Sequence, residues 1–548
     1  MDGLIMDRPL LIRDLLWRAE RVFGDKRVIS RTAGDDHSYT YAEYAVRVRK
    51  LAQALAALGV QPGDRVGTVA WNTHRHYEAY FAVPCMGAVL HTVNLRLFDE
   101  QITYIINHGG DSVLLVDPDQ IPLLERLAPQ LPGIKAYVVL DETVPETTLA
   151  PIYAYEDLLA AQDGNLAFPE FPETTASAMC YTSGTTGDPK GVLYSHRSVV
   201  LHTLGLGMHG SIGVREDAVF LAISPMFHAN SWGIPFAAAL QGSTLVLPGP
   251  HPEPKHYLEQ IERHRVTHAV GAVTIGVMMR DLLERGDPSY DISSLQTLWL
   301  GGQAPPRSLM KWFKDTHDVV VPQGWGMTES SPLVTFTELK SKHREVSEDE
   351  IYAVRVKQGL PLPLCEVRLV DDAGSELPWD GKSIGEFRLR SPWMASAYYD
   401  DPRSPASYDS EGWFKTGDVG VIDPDGYVQL TDRSKDLIKS GGEWISSVEL
   451  ENSLTEHPAV AEACVVAVPD EKWLERPLAC VVTRSPVTAA ELSDYLHERF
   501  AKWWVPQEYL VIDEIPKTGV GKFDKKVLRA RFGDQAERDR HRAATEAR

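Results

Sequence analysis

A chain of 548 residues is too long for one compact core, so two or more domains are expected. Its hydrophobic content of 43% and charged content of 24% are those of a globular protein, and no run approaches the roughly 18 apolar residues that a membrane span needs. The formal charge of −21 argues against general binding of nucleic acid or anionic membrane surfaces, although local cations can still serve a small anionic ligand.

The first part of the chain alternates helical and strand patterns. From Tyr41 the apolar residues Tyr44, Val48, Leu51, Leu55 and Leu58 fall on one helical stripe. Thr40 and Glu43 stand before it at capping-box spacing, and Gly59 follows as a stop. The short apolar runs RVGTVAW, SVLLVD, AYVVLD and STLVLPG then predict buried strands separated by helices. LQTLWLGG is a further strand, with a helix after Pro305 reaching His317. From about Cys365 the texture changes. CEVRLVDDAG, SIGEFRLRS and DGYVQLTDRS read as short strands of an antiparallel, β-barrel-like region.

After Ser434 a domain-sized segment has its own α+β pattern, including a helix with Leu492, Tyr495, Leu496, Phe500 and Trp503 on one face. The charged tail from Asp534 reads as a solvated or frayed helix. The fold class is therefore α/β, with a large first domain over residues 1–433, a boundary near 433–436 and a small α+β domain over 434–548. The five cysteines, Cys85, Cys180, Cys365, Cys464 and Cys480, show neither CxxC nor zinc spacing. That suits reduced, mostly buried thiols and a cytoplasmic setting. The charges near the N-terminus are too closely spaced for a signal-peptide core.

Three familiar signatures fail on context. Gly205, Gly207 and Gly210 spell G-x-G-x-x-G, yet they continue a helix instead of following a strand. Gly381, Ser383 and Gly385 spell G-x-S-x-G, but in a hairpin turn and not in a strand–turn–helix elbow. A Walker loop needs Gly before its Lys and Ser or Thr after it; Lys190 has Pro189 and Gly191. What survives is TSGTTGDPKG, with Thr182, Ser183, Gly184, Thr185, Thr186, Gly187 and Lys190. Small residues let backbone N–H groups approach an anion, hydroxyls add donors, and the lysine adds charge. Composition alone leaves a phosphate cradle and a mobile surface loop both open.

TSGTTGDPKG resembles the signature loop of the adenylate-forming superfamily: acyl-CoA synthetases, luciferases and peptide-synthetase adenylation domains. Four more motifs agree in order and spacing over nearly the whole chain. GWGMTE (Gly324–Glu329) resembles the second motif, with Trp325 where Tyr is usual. FKTGD, ending at Asp418, resembles the ribose motif; DRSKDLIKSGGEWIS the hinge motif; PKTGVGK, ending at Lys522, the C-terminal lysine motif.

The resemblance implies an ATP-dependent ligase that joins a carboxylate to AMP and then to a thiol. Thr186 and Glu329 would hold Mg²⁺. Asp418 and Arg433 would bind ribose, although a turn-capping role for Asp418 stays open. Trp325 would stack on adenine or sit as a plain core aromatic, with Gly324, Gly326, Met327 and Thr328 beside it. Gly301, Gly302 and Gln303 would border the adenine and acyl sites. Lys522 would stabilise charge at the carboxylate and α-phosphate. Lys435 would mark the hinge, while Gly441, Gly442 and Trp444 would line the pantetheine entrance after the small domain swings. Lys439 would contact the carboxyl site or CoA.

The segment Pro225–Phe236 resembles the family's acyl pocket. No Asp, Glu, Lys or Arg occurs from Pro225 to Gly249, which disfavours a cationic amino-acid substrate. Trp232 would be an aromatic gate or a core residue, and His228 would lie beside the carboxylate or pack near the gate. Expected partners are a small carboxylic acid, ATP and coenzyme A, with no nucleic acid, no membrane span and a possible homodimer. The hinge motif looks most like the medium- and long-chain fatty-acyl-CoA synthetases. A small thioether, branched or aryl acid, a carrier-protein acceptor and luciferase-type oxygenation remain alternatives.

Overall fold

The computed structural model describes residues 3–32, 34–182, 188–208, 210–286, 288–343, 345–433, 436–440, 443–470, 472–517 and 523–546. Two largely parallel sheets carry most of the chain. One has seven strands, in the order Ile152–Ala154, Ala136–Val139, Asp111–Val116, Arg65–Val69, Val89–Thr92, Ala176–Tyr181 and Gly191–Ser195, antiparallel only at the last pair. The other has six, in the order Thr297–Gly301, His268–Ala272, Val219–Ala222, Thr244–Leu247, Arg27–Ser30 and His37–Thr40, again with a single antiparallel edge pair.

The apolar runs explain this. Every residue of Val89–Thr92 and Asp111–Val116 is buried, as strands covered on both faces require. The helix Tyr41–Ala57 starts as its spacing predicts: Glu43 N–H donates to Thr40 Oγ1 at 3.2 Å and Thr40 N–H to Glu43 Oε2 at 2.8 Å. Gly205 lies inside the helix His196–Leu206, which Ser195 caps, in agreement with the rejection of a dinucleotide fingerprint.

Three short strands, Gly324–Gly326, Leu333–Phe336 and Leu360–Pro361, form an antiparallel ribbon. Four more, Glu366–Val370, Gly385–Arg390, Phe414–Ile422 and Val428–Arg433, form the expected antiparallel β region. In that last pair Asp418 stands opposite Arg433. The C-terminal part has its own sheet of five strands and its own apolar cores, around Ile438, Leu450, Val465 and Leu496 on one face and Cys464, Leu510 and Leu528 on the other.

Two sequence expectations are corrected here. The helix Ala489–His497 ends before Phe500 and Trp503. Beyond its end, the buried Arg476 guanidinium donates to the carbonyls of Trp503 and Val505, at 2.5 and 3.2 Å, and Pro506 follows, so this stretch is held outside any helix. The tail helix Gln535–Glu546 is tied down and not merely solvated: Arg538 is 4% exposed and donates to Glu508 Oε2 at 2.8 Å. Among the described residues all five cysteines are unpaired thiols, four of them buried, and no helix is long and apolar enough to cross a membrane.

Candidate active site

In parallel sheets ligands collect at the carboxyl ends of the strands. A cavity of about 560 Å³ is lined from the ends of both sheets: Thr182 and Lys190 from one, Ile223, Ala272 and Gly301 from the other. His228, Trp232, Gly302, Gln303, Gly324, Gly326, Met327, Thr328 and Glu329 line it too. A second space of about 630 Å³ shares Gly302, Gln303, Gly324 and Gly326 with the first. It runs past Trp325 and Asp418 to Lys517, Phe523 and Lys525 of the C-terminal part.

Thr182 and Lys190 close the base of the glycine-rich loop: Thr182 N–H donates to the Lys190 carbonyl at 3.0 Å, and Lys190 N–H to Thr182 Oγ1 at 3.1 Å. Lys190 Nζ lies 4.5 Å from the centre of the Tyr398 ring. The Tyr398 hydroxyl donates to Glu329 Oε1 at 2.5 Å. Burial and the Glu329 carboxylate both raise the Tyr398 phenol, which therefore stays a neutral donor. Tyr398 belongs to no motif; only the fold brings it to Glu329.

Gly326 is dictated by close approach, since a Cβ there would lie 2.1 Å from the Pro332 carbonyl oxygen. Met327, Thr328 and Glu329, which follow it, line the cavity. Thr328 is anchored through its carbonyl, which accepts from the Tyr194 hydroxyl at 2.6 Å.

One wall of the first cavity is a left-handed turn. Ala229, Asn230, Ser231 and Trp232 have φ of 45°, 53°, 49° and 56°, followed by Gly233 at 79°. Such geometry costs about 1–2 kcal/mol per non-glycine residue and persists only where neighbours over-determine it. Here the Ser231 hydroxyl donates to the Ser224 carbonyl at 2.6 Å. The Asn72 amide donates to the carbonyls of Ala222 and Ser224 at 2.8 and 2.9 Å and accepts from Met226 N–H at 2.7 Å. The turn lays the Trp232 ring over Gly301, where an added Cβ would come within 2.6 Å of Cη2. Nothing local in the sequence marks Asn72, an asparagine that supports a distant loop.

Trp325 is 5% exposed and packs on Phe387 with ring centres 5.3 Å apart, so it is a core aromatic that also borders the second space. Its Nε1–H donates to Asp418 Oδ2 at 2.8 Å. Lys439 lies apart from these groups. It is exposed on the strand Ile438–Ser440 and lines neither cavity, its N–H donating to Glu475 Oε2 at 2.8 Å. Ser183, Gly184, Thr185, Thr186, Gly187, Lys435, Gly441, Gly442 and Lys522 lie outside the described residues, and of Arg433 and Trp444 only the backbone is described. Lys517 and Phe523, which bracket Lys522 in sequence, pair with each other and line the second space.

The pattern of the AMP-binding enzyme family matches residues 16–399, and that of the AMP-binding enzyme C-terminal domain matches residues 449–522. The chain belongs to the AMP-binding enzyme family. This enzyme is 46% identical over 533 residues to the long-chain-fatty-acid–CoA ligase of Thermus thermophilus, across 96% of each chain. It is 41% identical over 541 residues to the medium-chain-fatty-acid–CoA ligase of Ectopseudomonas oleovorans, across 97% of this chain and 98% of that one. Among solved structures, the anthranilate CoA ligase AuaEII in complex with anthranoyl-AMP aligns with a TM-score of 0.84 at 26% identity, over 96% of this chain and 98% of that one. The resemblance to the adenylate-forming superfamily and the α/β architecture with a small C-terminal domain are thereby borne out.

Proposed function

We propose that this AMP-binding enzyme is an ATP-dependent acyl-CoA synthetase for an apolar carboxylic acid, with medium- or long-chain fatty acids the preferred class. As an acid–thiol ligase it uses ATP with Mg²⁺, and CoA as the acceptor. A carboxylate oxygen attacks the α-phosphorus of ATP and pyrophosphate leaves. The CoA sulfur then attacks the acyl carbon and AMP leaves. Positioning and charge neutralisation supply most of the rate in such transfers.

The wall of the acyl side carries the choice of acid. Ile212, Ile223, Trp232, Trp299, Leu300 and Phe336 line the cavity, and no charged residue occurs from Pro225 to Gly249. A hydrocarbon chain gains by leaving water along that wall. The fatty-acid relatives support the same preference.

Roles follow from placement. Thr182 and Lys190 would flank the phosphates, with Ser183, Gly184, Thr185, Thr186 and Gly187 between them. Glu329, one oxygen of which accepts from Tyr398, fits a hard cation that takes one or two carboxylates plus substrate phosphates. With Thr186 it would hold Mg²⁺, which supplies charge neutralisation at the phosphates. Asp418 and Arg433, paired across two strands, would bind ribose. His228 and Trp232 would border the carboxylate and acyl chain, and Gly301, Gly302 and Gln303 the adenylate. Lys522 would bridge carboxylate and α-phosphate. A hinge at 433–436 would then withdraw it and bring Lys439, Gly441, Gly442 and Trp444 to the thiol path. The reduced, mainly buried cysteines support a cytoplasmic setting.

The test is pyrophosphate release across straight-chain acids of increasing length, amino acids and dicarboxylates, with and without CoA. Release driven by the apolar acids, with AMP and acyl-CoA as products, is expected. Release confined to charged acids would overturn the substrate reading. Lys522→Ala should abolish acyl-AMP formation and largely spare thioester formation from supplied acyl-AMP.

A further inference from the structure

Trp325 stands where its motif usually carries Tyr, and its surroundings give that difference a chemical meaning. The strand Gly324–Gly326 places Trp325 opposite Thr335. Trp325 N–H donates to Thr335 Oγ1 at 3.3 Å, and Thr335 Oγ1 donates to the Gln358 carbonyl at 2.7 Å. The ring is held among Val334, Val367, Leu369, Phe387 and Leu389. Packing therefore leaves the indole little freedom to tilt. An indole has one polar hydrogen and no acceptor, and a buried one is normally matched to a partner. Here that hydrogen goes to Asp418 Oδ2 at 2.8 Å, and both residues are 5% exposed.

Resting on the ribose role of Asp418 proposed above, we infer that Trp325 is a positioning residue for that carboxylate and sets the enzyme's discrimination for the ribose hydroxyls. A carboxylate offers about four acceptor positions on two oxygens. The indole occupies one and limits how the carboxylate can turn. The Asp418 backbone is held as well, its N–H donating to Thr416 Oγ1 at 3.0 Å. A site that accepts hydrogen bonds from substrate hydroxyls rejects a deoxy analogue only if its acceptors are held in place. The pair would act as one unit: Trp325 gives direction, and Asp418 makes the contact. A phenol in place of the indole ends its polar hydrogen on a different vector, so the Trp is a specific solution to holding Asp418 on this strand register.

The test is equilibrium binding of AMP, 2′-deoxy-AMP and 3′-deoxy-AMP by calorimetry, with the KM for an acid accepted in the pyrophosphate screen as the control. Trp325→Phe keeps an aromatic ring in the core and removes the donor. Weakening of AMP binding by about tenfold or more is expected, with a several-fold smaller preference for AMP over the deoxy nucleotides, while the KM for the acid shifts less than about twofold. Replacement of Trp325 by 3-benzothienylalanine, which keeps the shape and exchanges N–H for sulfur, should give the same loss and covers the case in which Trp325→Phe packs poorly. An unchanged nucleotide preference in the benzothienyl enzyme would overturn the inference and leave the ligase reading intact. Equal losses toward AMP, deoxy-AMP and acid would overturn it too, as a general structural effect. An unsubstituted enzyme that binds AMP and its deoxy analogues equally would overturn both this inference and the ribose role of Asp418.

Discussion

Lys525 Nζ lies 2.9 Å from Glu451 Oε1, with both side chains 12% exposed. Lys525 also donates to the Ser447 hydroxyl, which donates in turn to Asp432. Val465 N–H donates to Glu451 Oε1 at 2.7 Å. One buried cation thus ties the start of the helix Lys525–Phe532 to the helix Ser447–Glu456, to the strand Val460–Asp470 and to the end of Val428–Arg433. Burial works against its charge, but the Glu451 and Asp432 carboxylates outweigh it, so the ammonium titrates above its ordinary range.

Lys525→Met should therefore destabilise the protein by about 3–5 kcal/mol, because it strands a buried carboxylate. The double variant Lys525→Met with Glu451→Leu should lose less than the single one. Denaturant unfolding followed by a probe in the C-terminal part checks this. A single variant no less stable than the double would show that the pair does not hold these elements together.

The contact of Trp232 with Gly301 predicts a suppressor. Gly301→Ala should raise the KM for the acid by roughly tenfold, because a methyl there collides with the indole. Trp232→Ala should remove most of that added defect when the two are combined, a non-additivity expected of groups in contact. Steady-state kinetics with a saturating nucleotide would show it. Strictly additive effects would mean that the ring does not lie over Gly301 in the working enzyme.

These two contacts mark where sequence reading stops. The capping box at Thr40, the buried strand runs and the antiparallel texture after Cys365 were legible because each depends on neighbours a few residues away. The five motifs made the enzyme class legible. The clamp around Lys525, the bond from Tyr398 to Glu329 and the support of Asn72 under the turn at Trp232 were not, because each joins segments distant in the chain. The helix expected to reach Trp503 failed for the same reason. The carbonyls of Trp503 and Val505, beyond its end, go to Arg476, which arrives from another strand.

His202 offers a test by pH. Its Nε2 accepts from Leu333 N–H at 3.1 Å, behind the hairpin that carries Gly324 to Glu329, and burial lowers its pKa to about 3. A histidine depressed when folded binds fewer protons than it does unfolded between about pH 6.5 and 3. Its contribution is therefore complete above pH 6.5 and is lost as pH falls through that window, to a total on the order of 5 kcal/mol. His202→Gln retains an acceptor and does not titrate. Its stability deficit at pH 7.5 should shrink or reverse at pH 5, measured by chemical denaturation. A deficit independent of pH would show that His202 is not held neutral.

Glu329→Gln should slow adenylation on the order of 100-fold and weaken the apparent affinity for Mg²⁺, while Tyr398→Phe should produce a smaller change in the same direction. Titration of activity with Mg²⁺ at fixed ATP distinguishes this from a packing defect. Unchanged Mg²⁺ dependence in Glu329→Gln would remove it from the metal site.

The most direct measurement follows an oxygen atom. If a carboxylate attacks the α-phosphorus in the cavity between the two sheets, then an acid labelled with ¹⁸O in both carboxylate positions, incubated with ATP, Mg²⁺ and CoA, must pass one labelled oxygen to AMP. Mass spectrometry should find AMP carrying a single ¹⁸O and unlabelled pyrophosphate. AMP free of label, or label in a phosphate released beside ADP, would contradict adenylate formation by this enzyme.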